Sequence, residues 1–373
     1  MKQYFSLLAV AAVAACSLTS CNEDEETIRL KPVVTSDGVF VVNSGHKSGG
    51  IEGTLTYYDY AQAAAAQKVY QAANGEALGE TPNHAVVYGS KIYIVGSGEQ
   101  TVFVADRKTL KKVENIKVEV NGKAATPRQA VAGYGFVYVS TYSNAVVAID
   151  TLTNTIATTY KSGDYSEGMA IENGVLYVAN SNYGQGKQEN AFPSISVISL
   201  ATKESVTFTD DLLNNPVDIK IANRRMFVLD SGQYDENWNQ VGAGVFELSN
   251  GKVTKCADAT EMAVSGTKVF MINAPYTNPT TEPTYKVYDT EVNIPASFCD
   301  GSDIKYPGKI SVDPVKGYVY ITSYNMGSSG YADYKAEGYC VIYNGKGEKQ
   351  GEFDCGVGAG YVIPNASVEY VQQ

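Results

Sequence analysis

The fold of this chain is decided by the stretch Leu176-Tyr177-Val178-Ala179-Asn180-Ser181. In this stretch an aliphatic residue, an aromatic residue and two further apolar or small residues precede a polar residue that favours a turn, which is typical of a short buried β-strand. Six other segments follow the same order, and they begin at Val39, Ile92, Val137, Met226, Val269 and Val319. The second residue is Tyr or Phe in all seven copies, so the chain is built from one repeated strand.

The spacing of the copies identifies the kind of repeat. They start between 39 and 53 residues apart, which is the period of a propeller blade and is too long for a leucine-rich or ankyrin repeat. Each later copy follows a short apolar segment, predicted as an inner strand, and precedes a third strand that commonly ends in Asp or Asn and a fourth, more polar strand. The sequence therefore predicts an all-β fold, a seven-bladed β-propeller.

The two ends of the repeat predict how the ring closes. The first copy, at Val39, has no inner strand before it, whereas residues 364–371 read as an inner strand without a blade of its own. We expect this C-terminal strand to pair with the N-terminal blade, because a closed ring leaves no free sheet edge.

Composition limits the partners of the protein. The 373 residues carry a formal net charge of −11, which argues against binding to nucleic acid and against electrostatic docking on anionic lipid. The content of 35 Gly and 28 Tyr indicates many tight turns and many half-buried strands.

The N-terminal segment has the features of an export signal. Residues 1–20 contain one cation, Lys2, and an apolar core too short to span a bilayer, as in a signal peptide. Leu18-Thr19-Ser20-Cys21 resembles the lipobox of bacterial lipoproteins, which implies cleavage before Cys21 and lipidation of that residue. A weaker match ends at Cys16, inside the apolar core.

The segment after Cys21 predicts the location of the protein. Residues 22–26 read Asn-Glu-Asp-Glu-Glu, a solvated spacer that also resembles the acidic signal of lipoproteins exported to the surface of Bacteroidota. We therefore predict a lipidated acidic linker over residues 21–37, a propeller over 38–373, and a lipid-anchored location on the cell-surface side of the outer membrane.

The remaining cysteines indicate no metal centre. No CxxC motif or Cys/His cluster has the spacing of metal ligands, so no metal site is predicted. Cys340 and Cys355 lie on the third and fourth strands of the last blade, where either a disulfide or two free thiols are compatible with the sequence.

The predicted functional residues lie on one face of the propeller. Loops between second and third strands emerge on the same face as the starts of the inner strands, and in blades 4 to 7 these loops are long and rich in aromatic and amide residues. Any one of these rings has packing as its alternative role. The candidate ligand-binding loop residues are Tyr183, Phe192, Tyr234, Trp238, Tyr276, Tyr324 and Tyr331. The candidates at the central opening are His84, Arg128 and Asp218, with Gln129, Glu167, Glu261 and Lys309 beside them.

Catalytic motifs are absent from the sequence. The chain has two histidines, His46 and His84, and no Gly-x-Ser-x-Gly nucleophile motif. The glycine-rich residues 44–50 lack the spacing of a phosphate-binding loop. The sequence therefore predicts a binding protein and not an enzyme.

Together, the lipobox, the acidic run and the repeated strand resemble the YncE-like surface lipoprotein propellers of Bacteroidota, and in length and layout the cobalamin-binding BtuG group. The resemblance implies that the protein captures vitamin B12 or another corrinoid and passes it to a BtuB-like TonB-dependent transporter. Cobalamin is then the transported ligand and not a resident cofactor. Ligation of cobalt by His84 or His46 is less favoured than a plain hydrogen-bonded role.

Three other functions are compatible with the same sequence. A glycan-binding surface lipoprotein of a polysaccharide uptake system also uses aromatic rings with amide neighbours. A lactonase-like propeller hydrolase needs a metal in the central channel. A structural or adhesive lid needs no small ligand.

Overall fold

The computed structural model describes residues 30–181 and 192–372. In this part of the chain seven four-stranded antiparallel sheets form the blades of a β-propeller. In the first three blades the elements are β1 (Leu30–Asn43), a 3-10 helix (Lys47–Gly49), β2 (Thr54–Asp59), β3 (Ala64–Ala66), α1 (Val69–Asn74), β4 (Pro82–Tyr88), β5 (Lys91–Gly96), β6 (Thr101–Asp106), β7 (Lys112–Lys117), β8 (Glu119–Val120), β9 (Lys123–Ala124), β10 (Pro127–Gly133), β11 (Phe136–Thr141), β12 (Ala145–Asp150) and β13 (Thr155–Lys161).

The last four blades repeat this layout with two added strands in blade 5. Their elements are β14 (Ser166–Glu172), β15 (Val175–Asn180), β16 (Ser194–Ser199), β17 (Ser205–Phe208), β18 (Pro216–Ala222), β19 (Arg225–Asp230), β20 (Gln233–Tyr234), β21 (Gln240–Val241), β22 (Gly244–Ser249), β23 (Lys252–Ala257), β24 (Glu261–Ser265), β25 (Lys268–Asn273), β26 (Thr284–Asp289), β27 (Pro295–Ser297), β28 (Tyr306–Val312), β29 (Val319–Tyr324), β30 (Glu337–Tyr343), β31 (Lys349–Val357) and β32 (Ala359–Gln372). The predicted all-β, seven-bladed architecture is confirmed.

The repeated strand is the second strand of every blade, and it forms the core. Its aromatic side chain is at most 2% exposed in six blades, and these residues are Phe40, Tyr93, Tyr138, Phe227, Phe270 and Tyr320. Tyr177 in blade 4 is half-buried. Burial of a large ring contributes more apolar area than any aliphatic side chain, so the aromatic position stabilises the packing of each blade.

The polar residue that ends the repeated strand is a buried hydrogen-bonding centre as well as a turn former. The Asn180 amide donates through Nδ2 to Ser194 Oγ (3.1 Å) and Ser196 Oγ (2.9 Å). In blade 5 the equivalent residue, Asp230, accepts the backbone N–H groups of Asn214 and Asn215 through Oδ2 (2.8 and 2.9 Å). Each group thereby satisfies polar atoms that would be costly to bury without partners.

The C-terminal strand closes the ring, as predicted. β32 is the inner strand of blade 1 and pairs antiparallel with β1 from Leu30 opposite Gln372 to Asn43 opposite Ala359. Side chains reinforce the junction on both sides. Arg107 Nη1 of blade 2 donates to Asn365 Oδ1 of β32 (2.9 Å), and Ser36 Oγ of β1 donates to Asp313 Oδ2 of blade 7 (2.5 Å).

Strand β1 begins at Leu30 rather than at residue 38, where the propeller was predicted to begin. The difference arises because residues 30–36 find hydrogen-bonding partners in residues 366–372, which extends the ladder outward. The predicted signal peptide, Cys21 and the acidic run lie outside the described residues. No helix in residues 30–181 and 192–372 is long and apolar enough to cross a membrane.

Cys340 and Cys355 are buried free thiols. The register of blade 7 pairs Cys340 with Phe353, and a bulge lies between the pairs Glu337/Val357 and Tyr339/Asp354. Cys355 is therefore displaced from the position directly opposite Cys340, and no disulfide forms.

Candidate ligand-binding face

The long-loop face is the side of the propeller where second strands pass to third strands and fourth strands pass to the next inner strand. Its loops expose large rings to solvent. The side chains that are between 57% and 72% exposed here are Phe192, Trp238, Tyr276, Tyr331 and Tyr334. With the half-buried Tyr234 and Tyr324 they form what we term the aromatic rim. Several large exposed rings on one face mark a candidate interaction site. The candidate Tyr183 lies outside the described residues.

Trp238 stands at the tip of the β20–β21 hairpin in a backbone conformation that is unusual for its type. Its φ is 63°, in the left-handed region, which costs about 1 kcal/mol or more for a residue with a bulky side chain. Asp235 fixes this tip, because its Oδ1 accepts the N–H groups of Asn237 and Asn239, both at 2.8 Å. The Trp238 N–H donates to the Asp235 carbonyl at 3.1 Å. The turn thus fixes the backbone that carries the exposed indole.

The blade 5 hairpin is bound to the blade 6 loop. The Gln240 N–H donates to the Tyr276 carbonyl (2.7 Å), and the Tyr276 N–H donates to Gln240 Oε1 (3.1 Å). A further bond joins the Asn278 N–H to Asn239 Oδ1 (2.8 Å). The rings of Tyr234 and Tyr276 lie 6.3 Å apart. These contacts make blades 5 and 6 one pre-organised section of the rim.

The blade 7 section is organised by tyrosines. Tyr324 packs edge-on against Tyr334 with ring centroids 4.9 Å apart, and the Tyr306 hydroxyl donates to the Gly330 carbonyl. Burial raises the pKa of Tyr324. Tyr324 therefore supports the loop from below, whereas Tyr331 and Tyr334 are the rings that face solvent.

At the centre of the same face, polar side chains converge from the inner strands of all seven blades. This set, which we term the axial floor, takes one residue from each blade in the order Tyr361, His84, Arg128, Glu167, Asp218, Glu261 and Lys309. Contacts cross the axis, since Gln129 Nε2 of blade 3 donates to Tyr361 Oη of blade 1 (3.2 Å). His84, Arg128 and Asp218, which the sequence placed at the central opening, lie in the inner strands β4, β10 and β18.

Three ion pairs involve five of these seven residues, and we count Lys220, the partner of Asp218, with the axial floor. Arg128 Nε lies 3.1 Å from Glu167 Oε2, and Lys309 Nζ lies 2.5 Å from Glu261 Oε1. The third pair, within blade 5, places Lys220 Nζ 2.9 Å from Asp218 Oδ2.

The protonation state of the Glu261–Lys309 pair depends on its burial and on the attraction between the two opposite charges. Burial raises the pKa of Glu261 and Lys309 opposes that shift. Burial by itself would lower the pKa of Lys309, but the Glu261 carboxylate, through its charge and its hydrogen bond, raises it overall. The pair is ionised, and with Lys220 beside Asp218 the three ion pairs hold equal numbers of cations and carboxylates.

His84 is a neutral member of the axial floor. Burial, with Lys220 and Lys309 nearby, lowers the pKa of His84 to about 3. Its Nδ1 accepts the Ala130 N–H (3.3 Å), which leaves the ring proton on Nε2, and its ring meets that of Tyr361 at 4.7 Å. His84 is thus a hydrogen-bonded group with one nitrogen already occupied. The second histidine, His46, lies in the β1–β2 loop.

The axial floor opens toward the long-loop face. Tyr142, in the turn between β11 and β12, donates its hydroxyl to Glu167, and the Arg128 guanidinium lies 4.7 Å from the centre of its ring. Tyr165 packs edge-on against Tyr142 at 5.4 Å. Tyr142 and Tyr165 thus place two aromatic rings beside the charged groups of the axial floor. Tyr142, Lys220 and Tyr361 were not among the predicted residues, because nothing in the local sequence marks them.

A separate cleft of about 500 Å³ lies at the junction of blades 1 and 7 on the same face. Glu52, Lys68, Gln71 and Glu337 are among its lining residues. Within residues 30–181 and 192–372, no group of three or more His, Cys, Asp and Glu side chains is arranged to hold a metal ion.

Comparison with known proteins extends the description of the fold. A family model described as a domain of unknown function, DUF5074, matches residues 37–186. No curated protein matches the chain. Hydrazine synthase of Kuenenia stuttgartiensis is similar in structure, with a TM-score of 0.57, 15% identity, and coverage of 78% of this chain and 95% of that chain.

A computationally designed protein, Ika8, is also similar, with a TM-score of 0.50, 11% identity, and coverage of 89% of this chain and 80% of that chain. At these identities the likeness concerns the fold alone. The chain is a β-propeller whose N-terminal part matches a domain of unknown function.

Proposed function

We propose that this protein is a non-enzymatic capture protein, anchored at Cys21 to the outer membrane and exposed on the cell surface. It binds vitamin B12 or a related corrinoid on the long-loop face and delivers it to a BtuB-like TonB-dependent transporter. The observation that carries this proposal is the aromatic rim, a set of exposed rings on loops of one face that include the hydrogen-bonded hairpin of blade 5.

The chemistry of a corrinoid fits this surface. A corrinoid is a broad, largely apolar disc with amide arms, so it requires flat apolar contacts in the middle and hydrogen-bonding groups around them. Trp238, Tyr276 and Tyr331 supply exposed rings. The amides of Asn237, Asn239 and Gln240 lie beside Trp238 in the sequence of the hairpin. Because the hairpin is already ordered, little conformational entropy is lost when the ligand binds.

The pairing of charges in the axial floor favours binding over metal-dependent hydrolysis. Glu167, Asp218 and Glu261 are each satisfied by a cation at 3.1 Å or less. A divalent metal would have to displace these cations before it could use the carboxylates. This favours the capture function over a lactonase-like hydrolase.

Glycan binding is the second candidate function. The observation that favours it is again Trp238, because a flat indole with amide neighbours also stacks well on a sugar ring. The two candidates differ in their ligand and not in the surface that they use.

Titration of the lipid-free mature chain with cyanocobalamin tests the proposal. Trp238 is the single tryptophan of the chain, so quenching of tryptophan fluorescence reports directly on the rim. We expect saturable binding to the wild type and about ten-fold or greater weakening of binding in Trp238→Ala. Because that variant has no tryptophan, its binding is measured from the absorbance of the corrinoid. Tyr134→Ala, on the opposite face in the β10–β11 turn, is the matched control and should bind as the wild type does.

Two results would contradict the corrinoid assignment. Absence of binding at micromolar protein would exclude capture of the vitamin, and the same variants would then be titrated with oligosaccharides. Equal weakening in Trp238→Ala and Tyr134→Ala would place the site away from the rim.

A further inference from the structure

The cations of the axial floor are more accessible than the carboxylates that they pair with. The exposed fractions of the side chains are 24% for Arg128 against 11% for Glu167, and 31% for Lys309 against 19% for Glu261. For the third pair they are 29% for Lys220 against 6% for Asp218. In all three pairs the cation is thus the more solvent-accessible partner.

These cations retain unused hydrogen-bonding capacity. Arg128 donates to Glu167 through Nε, and among the described residues its two terminal nitrogens make no hydrogen bond. Lys309 Nζ donates to Glu261 and lies 4.9 Å from the centre of the Tyr361 ring, which leaves N–H groups of the ammonium available. His84 adds an Nε2–H donor, because its Nδ1 is the acceptor for Ala130.

Cations from two distant blades act on the same imidazole near the axis. Lys220 of blade 5 and Lys309 of blade 7 both act on His84 of blade 2, so positive charge from distant blades converges near this imidazole. The carboxylates behind the cations hold them in place and keep the free floor electrically neutral. An arriving oxyanion therefore finds oriented donors without a large field that would attract every anion.

From this geometry we propose that the axial floor is an oxyanion subsite that accepts one phosphate group of the ligand captured by the aromatic rim. The inference rests on the proposed function, because cobalamin carries a single phosphodiester in the arm that bears its nucleotide. Arg128 and Lys309 bind the phosphate oxygens, and His84 contributes a neutral donor. The rim and the floor then recognise different parts of one molecule.

Inorganic phosphate tests the subsite without a corrinoid. We expect millimolar phosphate to raise the melting temperature of the mature chain above that in sodium chloride of equal ionic strength. The shift should disappear in the variant Lys309→Met with Glu261→Met, which removes a complete ion pair and leaves no unpaired charge. Lys349→Met, which breaks the ion pairs with Asp303 and Glu352 on the outer part of blade 7, is the control and should keep the shift.

Two corrinoids connect the subsite to the captured ligand. Cobinamide has the corrin ring but lacks the phosphodiester and nucleotide. We expect cobalamin to bind the wild type about ten-fold or more tightly than cobinamide, and this ratio should fall below about three-fold in the Lys309→Met/Glu261→Met variant. Arg128→Met with Glu167→Gln tests the subsite from another pair of blades if the first double variant does not fold.

The outcomes separate the two proposals. A cobalamin preference that survives in both double variants, or a phosphate shift that they retain, overturns the oxyanion subsite while capture of corrinoids stands. If neither corrinoid binds the wild type, the proposed function fails. The phosphate shift then still decides whether the floor binds oxyanions.

Discussion

Blade 7 holds two tyrosines that illustrate two different uses of the same residue. Tyr320 lies in the repeated strand β29, is fully buried, and bonds through its hydroxyl to that of Tyr60 at 2.6 Å. Tyr331 lies in the loop that follows the same strand and is 67% exposed. Only a few residues separate an aromatic ring that holds the blade together from one that faces solvent.

The difference between these two tyrosines extends to the whole molecule. The aromatic position of β29 recurs in every blade because each blade must pack against its neighbours in the same way. The loop aromatics do not recur. They are concentrated in blades 4 to 7, and packing between blades does not require them. Repetition therefore marks residues that maintain the ring, and departures from repetition mark residues available to bind a partner.

Replacement of each tyrosine by alanine tests the different roles of the two residues, and it has the largest expected effect. Tyr320→Ala removes a fully buried ring and leaves the Tyr60 hydroxyl with one partner fewer, so we expect a loss of about 3–5 kcal/mol in the free energy of unfolding. Tyr331→Ala removes an exposed ring and should change it by less than about 0.5 kcal/mol. Urea unfolding followed by circular dichroism measures both.

The control for this pair is Tyr320→Phe, which retains the ring and loses only the hydroxyl. We expect a loss of about 1–2 kcal/mol for this variant. Similar losses in Tyr320→Ala and Tyr331→Ala would show that the loop aromatics also maintain the fold, and the rim would then lose its claim to be a binding surface.

The axial floor is neither fully buried like Tyr320 nor widely exposed like Tyr331. The pH dependence of unfolding shows how strongly the protonation of His84, one of its members, is coupled to folding. The pKa of His84 is about 3 in the folded chain, below its ordinary value of 6.5. Below pH 6.5 the unfolded chain binds a proton at His84 that the folded chain does not bind. The contribution of His84 to the free energy of unfolding is therefore complete above pH 6.5. It is lost as the pH falls toward 3, by up to about 1.4 kcal/mol per pH unit.

Replacement of His84 by Asn tests this coupling, since the side-chain carbonyl can still accept the Ala130 N–H. Between pH 6.5 and 4.5 we expect the wild type to lose about 1–2 kcal/mol more stability than His84→Asn. Urea titrations at a series of pH values give this difference, and carboxylate protonation common to both proteins cancels from it. Parallel curves for the two proteins would show that the imidazole is readily protonated in the folded state.

The repeated features of the molecule were predictable from sequence, whereas the contacts between distant residues were not. The Tyr or Phe position and the spacing of its copies predicted seven blades and the role of the C-terminal strand, because these depend on local pattern alone. His84, Arg128 and Asp218 lie near the starts of the inner strands β4, β10 and β18. Their partners depend on which blades meet across the axis, and Lys220 lies in a strand where alternation alone gives it no special meaning.

The loops set a second limit on prediction. Composition indicated that they are aromatic, but the orientation of each ring depends on hydrogen bonds that close only after folding. Tyr324 packs under Tyr334, and Trp238 is held at the tip of a hairpin by Asp235. The strand boundary at Leu30 has a similar cause, because the pairing that extends β1 comes from the other end of the chain.

The smallest expected change in stability concerns the backbone at Trp238. It compares two exposed loop residues, Trp238 and Tyr331, with each other. A φ of 63° is unfavourable for Trp and natural for Gly, and the indole is 66% exposed, so Trp238→Gly loses little packing and relieves strain. We expect it to raise the free energy of unfolding by up to about 1 kcal/mol, measured in urea. Tyr331→Gly, at a position outside the left-handed region, should lower it by about 0.5–1 kcal/mol.

The opposite signs of these two glycine variants separate strain from simple exposure. If Trp238→Gly lowers the free energy of unfolding as much as Tyr331→Gly does, the left-handed backbone at Trp238 carries no strain. That conformation then gives no evidence of selection for binding. If Trp238→Gly is more stable and also binds cyanocobalamin more weakly, the chain keeps a costly conformation at the position that contacts the ligand. Such a trade of stability for binding is expected where a loop residue is selected for its partner and not for the fold.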